Sequence, residues 1–151
     1  MIGEKPWDAS EVTLITAARL IDGTGGPPLE SGAIMIVGGI IKAVGTEESV
    51  VPPEGASVRE FRYGDKTVLP GLVDCHVHLI GIADGRKGDA LTLLPDEVLT
   101  LQAASNARAH LYTGVTTVRD CGAKNRTTFM LRMAMEMGIV PGPRLVLSGR
   151  P

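Results

Sequence analysis

The chain has 151 residues, enough to bury one ordinary core or two small ones, and short of the roughly 200 that a complete eight-fold α/β barrel takes. Its 44% hydrophobic and 21% charged residues exclude a disordered or extended polar polypeptide, and a net charge of −2 from 15 basic and 17 acidic residues mixed along the length leaves no basic stripe for nucleic acid. Two cysteines, Cys75 and Cys121, make no disulfide framework, and neither an apolar leader in Met1 to Ser10 nor an apolar run of about 18 residues is present, so a reducing cytoplasm without membrane contact is expected, with both thiols free in the core.

From Val12 to Leu69 short β-rich segments alternate with turn residues. Strands are expected over Val12 to Ile21, Ala33 to Val37 and Ile40 to Val44, with shorter ones over Val58 to Tyr63 and Thr67 to Leu69. Gly38-Gly39 between two apolar strands reads as a two-residue hairpin, because both central positions of such a turn favour positive φ. Val50-Val51-Pro52-Pro53-Glu54-Gly55 reads as a loop. Gly23-x-Gly25-Gly26 resembles a phosphate loop only superficially: Pro27-Pro28 follows it, so no helix N-terminus is there to receive an anion, and it is expected to be a turn.

At Pro70-Gly71 the apolar period changes from two to about 3.6, the mark of α/β alternation, which places a domain boundary there: 1–69 a β module, 70–151 β/α units. A strand over Leu72 to Val77 leads into a polar loop from Gly81 to Asp89, carrying Asp84, Arg86, Lys87 and Asp89. Pro95 to Tyr112 follows as an amphipathic helix with Val98, Leu101, Ala104, Ala107 and Leu111 on its apolar face, Pro at its start and Gly114 past its end. Then come a strand over Val115 to Arg119, a helix over Thr127 to Met137 stopped by Gly138, and a strand over Leu145 to Leu147. Met130, Met133, Met135 and Met137 follow a helix and are expected to fill the core.

The chemistry lies in His76-Val77-His78. Alternate residues of a strand point the same way, so both imidazoles share one face at the end of a strand and make half of a metal site. Paired strand histidines also occur as plain polar surface. Here the apolar run Val68 to Val73, with Pro70-Gly71 within it and Asp74 just before the pair, indicates a parallel strand whose carboxyl end opens into a pocket.

Pro70-Gly71-Leu72-Val73-Asp74-Cys75-His76-Val77-His78-Leu79, with Gly114-Val115-Thr116-Thr117-Val118-Arg119-Asp120 and Gly142-Pro143-Arg144, resembles the start of the amidohydrolase superfamily. The order and spacing look most like the branch of imidazolonepropionases, Xaa-Pro dipeptidases and N-acyl amino acid hydrolases. Residues 12–69, including Ala18-Arg19-Leu20-Ile21-Asp22-Gly23, resemble the small β-sandwich that precedes the family's barrel. The resemblance implies a partial β-sandwich followed by about three strands of a (β/α)8 TIM barrel. It implies hydrolysis of a carbon-nitrogen bond in a small molecule, such as an N-acyl amino acid or dipeptide, by water activated on one or two divalent ions, usually zinc.

In that resemblance His76 and His78 bind the more buried ion. Neutral imidazole nitrogens hold zinc at about 2.0–2.1 Å, and the ion lowers the pKa of bound water to about 7. Cys75 and Val77 then point into the layer between sheet and helices, and Asp74, on the histidine face, is placed to orient the histidines or the local backbone. His110 falls within the helix on the outer ring, away from the strand ends. Asp120 ends the second barrel strand, where it fits a loop or supporting role.

The family's other ligands come from later strands: a lysine, often carboxylated, or a glutamate on strand four, histidines on strands five and six, and an aspartate on strand eight that is also the general base. The sequence carries no counterpart of those strands. A catalytic zinc takes three protein ligands and keeps one position for water, so the chain alone is expected to be an inactive N-terminal portion of the enzyme, with an open sheet edge and an uncovered apolar face inviting a complementing chain or self-association. Two other readings stay open: a non-catalytic β/α binding or assembly module, and a metal-binding module using His76, His78 and a carboxylate such as Asp120 or Asp84.

Overall fold

The computed structural model describes residues 11–82, 84 and 93–150. The polar loop expected over Gly81 to Asp89, and with it Arg86, Lys87 and Asp89, lies mostly outside the described residues, as does Met1 to Ser10. Two compact units divide between Pro70 and Gly71.

The first unit is one five-stranded sheet. Strand β1 (Val12–Leu20) lies between β2 (Leu29–Val37), antiparallel to it, and β4 (Val58–Arg62), parallel to it; β3 (Ile40–Thr46) extends the other side of β2, and the short β5 (Thr67–Val68) pairs parallel with the end of β1. Gly38 and Gly39 both take positive φ, 57° and 78°, as the β2–β3 hairpin requires. Gly23 and Gly25 sit in a turn closed by Asp22, whose Oδ1 accepts from the Thr24 backbone N–H at 2.9 Å and hydroxyl at 2.8 Å. Those two bonds hold the Asp22 carboxyl below its ordinary pKa. The segment is thus an aspartate-closed turn, as expected, with no helix behind it.

The second unit is a three-stranded parallel sheet in the order β6 (Leu72–Val77), β7 (Val115–Asp120), β8 (Arg144–Leu147), joined by helices α1 (Asp96–Tyr112) and α2 (Thr127–Glu136). Strand, helix, strand, helix, strand is the expected order, and the fold class is the α/β expected from the sequence. Pro95, with φ −57° and ψ 147°, precedes α1, and Gly114 at φ 90° and Gly138 at φ 72° stop the two helices in left-handed conformations that glycine adopts freely.

The core of this unit gathers Val77, Leu79, Leu99, Ala103, Ala107, Val118, Leu131 and Leu145. Helix α1 meets the sheet with Leu99, Ala103 and Ala107; of the expected face Ala107 is buried and Ala104 packs against the core, whereas Val98 and Leu101 are exposed. Apolar residues occur on several sides of α1, so periodicity alone could not select among stripes, and the small Ala103 and Ala107 win because they admit the closest approach to the sheet. Of the methionines, Met135 packs against the core but Met133 and Met137 are exposed, because α2 buries only the face bearing Thr127, Thr128 and Leu131. Cys75 is exposed and Cys121 partly so, against the expectation of two core thiols. Strand β6 is at the sheet edge, the helices pack over β7 and β8, and its pairing with β7 slips between Asp74 and Val77, so only Val77 reaches the core.

Gly71 is needed for a different reason from the turn glycines. A Cβ built there would lie within 2.7 Å of Thr116 Oγ1, Cγ2 and Cβ, at the point where Leu72 N–H bonds the Gly114 carbonyl at 2.9 Å. Gly71→Ala is expected to lower stability by about 1–3 kcal/mol through this overlap, read as a fall in the urea midpoint without change of slope; an unchanged midpoint would show that Thr116 yields freely.

Candidate metal centre

Strand β6 ends at Val77, so His76 is its last residue but one and His78 the first beyond it. Valine and leucine carry the strand through Leu72 and Val73, and Asp74 Oδ1 accepts the His76 backbone N–H at 3.0 Å, an aspartate hydrogen-bonding two residues on. Asp74 thus fixes backbone rather than an imidazole. The two rings stand edge to face with centroids 5.4 Å apart and planes at 70°, and both side chains lie at the carboxyl end of the parallel sheet, accessible from solvent.

His78 has a partner that decides its chemistry. Its Nδ1 lies 3.0 Å from the carbonyl oxygen of Gly122, in the loop after β7. A carbonyl only accepts, so Nδ1 carries a hydrogen, and whenever the ring is neutral Nε2 is the bare nitrogen, as in a metal-ligating histidine whose other nitrogen is tied to a carbonyl. The two loops meet because β6 and β7 pair in parallel: Cys121 N–H bonds the Val77 carbonyl at 2.8 Å, and Ala123 N–H bonds Gly149 beyond β8 at 3.1 Å. Lys124 then anchors the β7 loop to the start of α1, donating to the Leu94 carbonyl at 2.7 Å and pairing with Asp96 at 3.1 Å, where Asn125 Nδ2 also donates at 2.9 Å. Asn125 and Lys124 hold the Asp96 carboxyl below its ordinary pKa.

Asp120 does not join the histidines. It faces the helix side of β7 and is fully buried, and neither oxygen makes a hydrogen bond. Burial raises its pKa above 3.8, and the Thr128 hydroxyl, the N–H groups of Gly122 and Leu79 and the His78 ring act in the opposite sense without cancelling it. His110 is on α1, with Nδ1 bonded back to the Asn106 carbonyl at 3.0 Å, and takes no part in the centre. Asp84 is exposed. Among the described residues no group of three or more His, Cys, Asp or Glu side chains is gathered for a metal. The donor set fits a divalent ion as far as it goes: two imidazoles, one with Nδ1 held by a carbonyl and Nε2 directed away from it.

Sequence reasoning missed Asn106 and Gly122. Asn106 Nδ2 donates to the carbonyls of Leu79 and Gly81, in the turn that follows His78. Asn106 lies in a polar row with Gln102 and His110 beside the Ala103 and Ala107 stripe, so residue type alone did not single it out; the Gly122 contact is through backbone and leaves no trace in residue type.

Against known proteins, the amidohydrolase family profile matches residues 67–151. Ochratoxinase of Aspergillus niger is 30% identical over 148 residues, 94% of this chain and 29% of that protein. An imidazolonepropionase of Desulfotalea psychrophila is 41% identical over 51 residues, 32% of this chain and 12% of that protein. The crystal structure of A. niger ochratoxinase superposes with a TM-score of 0.78 at 28% identity, covering 93% of this chain and 31% of that one. A prolidase complexed with N-methylphosphonate-L-proline gives a TM-score of 0.75 at 30% identity, covering 91% and 32%. The chain thus spans about three tenths of the ochratoxinase and prolidase chains.

The Asp120 carboxyl supplies a test of this geometry. Its folded pKa is raised, so the unfolded chain ionises it first: stability is fullest below 3.8 and is lost as pH rises from there through the folded value. Asp120→Asn removes the ionisable carboxyl and with it this pH dependence. It is expected to raise the thermal midpoint at pH 7, with the gain shrinking towards pH 4; a lower midpoint at both pH values would show the carboxylate to be held by its neighbours.

Proposed function

Because the chain belongs to the amidohydrolase family, we propose that it forms the N-terminal part of a metal-dependent hydrolase that cleaves a carbon-nitrogen bond in a small molecule. Residues 1–69 are assigned to the small β domain and 70–151 to the first β/α units of the barrel, with His76 and His78 as ligands of a divalent ion, zinc being the best match to two imidazoles. The observation that carries this reading is the His78 Nδ1 bond to the Gly122 carbonyl, which leaves Nε2 bare beside His76 at the carboxyl ends of parallel strands, where barrel enzymes keep their chemistry. A bound ion supplies a water acidic enough to attack near neutral pH. The chain's own part is to hold two ligands in place: Asp74 fixes the His76 backbone, and Gly122 the His78 tautomer.

Substrate class follows the similar proteins. A prolidase bound to a proline phosphonate and an imidazolonepropionase point to an amide or cyclic amide, with an N-acyl amino acid or dipeptide as the first choice. Two histidines leave the ligand set incomplete, so these 151 residues by themselves are inactive, and further ligands and the general base come from a complementing chain or a longer polypeptide. A non-catalytic binding or assembly module is the second reading; it draws on the exposed Leu72 and Val73 of edge strand β6 and Val146 of β8, and requires a stable monomer that ignores metal.

Zinc affinity decides between the readings. Titrated against a chromophoric chelator, the chain is expected to bind zinc weakly, and His76→Ala and His78→Ala each to weaken it by about tenfold or more. Equal affinity in all three proteins would remove His76 and His78 from the metal site.

A further inference from the structure

The turn that carries the chain away from His78 is held by a side chain outside the proposed ligand set. Asn106, beside the buried Ala103 and Ala107 on α1, donates from Nδ2 to the Leu79 carbonyl at 2.7 Å and to the Gly81 carbonyl at 2.6 Å, while its Oδ1 accepts from Gln102 Nε2 at 3.2 Å. The Gly81 N–H closes the turn on the His78 carbonyl at 2.9 Å. Two carbonyls aimed at one point repel each other unless a donor stands between them. An amide NH2 has two hydrogens on one atom and serves both, whereas a carboxylate donates to neither. Leu79 itself is buried, so its carbonyl has little access to water as a substitute.

We propose that Asn106 is a positioning residue of the metal centre: by clamping the His78–Gly81 turn it keeps His78 Nδ1 on the Gly122 carbonyl and Nε2 free for the ion. Asn106 touches neither imidazole of the pair. It acts through the backbone of Leu79 and Gly81, and so sets where the His78 ring begins. Its backbone carbonyl, which takes His110 Nδ1, is untouched by a side-chain replacement. The proposal rests on the reading of His78 as a ligand.

The test compares Asn106→Leu, of similar size without donors, with Leu99→Ala, a core truncation on the same helix that leaves the clamp intact. Ring 15N shifts of His78 are recorded on the metal-free chain at alkaline pH, where the ring is neutral, together with zinc affinity. The unchanged chain is expected to show the Nδ1–H tautomer. Asn106→Leu is expected to give a mixture of tautomers and zinc binding weaker by about tenfold or more. Leu99→Ala is expected to keep the Nδ1–H tautomer despite a lower denaturation midpoint. If Asn106→Leu does not fold, Asn106→Ala, with the residue best suited to a helix interior, provides the same comparison. A fixed Nδ1–H tautomer in the Asn106 variant, the other tautomer in the unchanged chain, or an equal change in Leu99→Ala would overturn the proposal. Failure of the unchanged chain to take zinc would instead sink the ligand reading, and the tautomer comparison would still decide the role of Asn106.

Discussion

The candidate centre depends on the parallel pairing of β6 with β7. Parallel neighbours end at the same side of the sheet, so the residues that follow each strand meet there, and the bond from Cys121 N–H to the Val77 carbonyl carries the ladder one step past the last paired residues, Val77 and Asp120. That step brings Gly122 opposite His78. A parallel pair also demands a crossover, and α1 fills it. The same constraint therefore places a histidine against a carbonyl from one side and a helix against the histidine's turn from the other. Neither contact would survive a slip in register, since alternate residues of a strand face opposite ways.

Helix α1 has two duties that compete for its inner face. Close packing on β7 asks for small apolar residues, met by Ala103 and Ala107, while the turn after β6 leaves two carbonyls that need a donor, met by Asn106. The helix is therefore less regular in its apolar pattern than one that only packs. Lys124 and Asn125 secure the other end of the crossover at Leu94 and Asp96. Both loops that form the centre are thus tied to α1, one at its start and one near its middle.

The elements themselves were legible because their signals are local: Gly38-Gly39 between apolar strands, Gly114 and Gly138 past helix ends, and the change of period at Pro70-Gly71. His76 and His78 stood out by residue type and spacing, and the structure sets their rings 5.4 Å apart at the end of β6. What stayed hidden is carried by tertiary contacts. The parallel pairing of β4 and β5 with β1 cannot be read from a string of short strands, and the buried stripe of α1 could not be chosen among several apolar sides. Cys75 was misplaced because strict alternation from Val77 assumes an unbroken ladder and helices over the edge strand, and neither holds. Asp120 was expected in a loop or supporting role, with a place beside the histidines only in the metal-module alternative; its burial followed from tertiary packing, because on β7 the face that continues Val118 is the helix face.

Asp120 also shows how a buried charge can coexist with a loop that must stay in place. Its carboxylate has no hydrogen bond, and Thr128 Oγ1, buried near it, has none either. Such a pair normally costs stability, more for the ionised acid than for the hydroxyl. The groups that favour the ionised form are the Thr128 hydroxyl, the N–H groups of Gly122 and Leu79, and the His78 ring. Gly122 and Leu79 are the very residues flanking the His78 Nδ1 contact, one as its acceptor and one as its chain neighbour. The buried acid and the His78 turn thus share their neighbours, because the ladder step past Val77 and Asp120 sets Leu79 and Gly122 beside both.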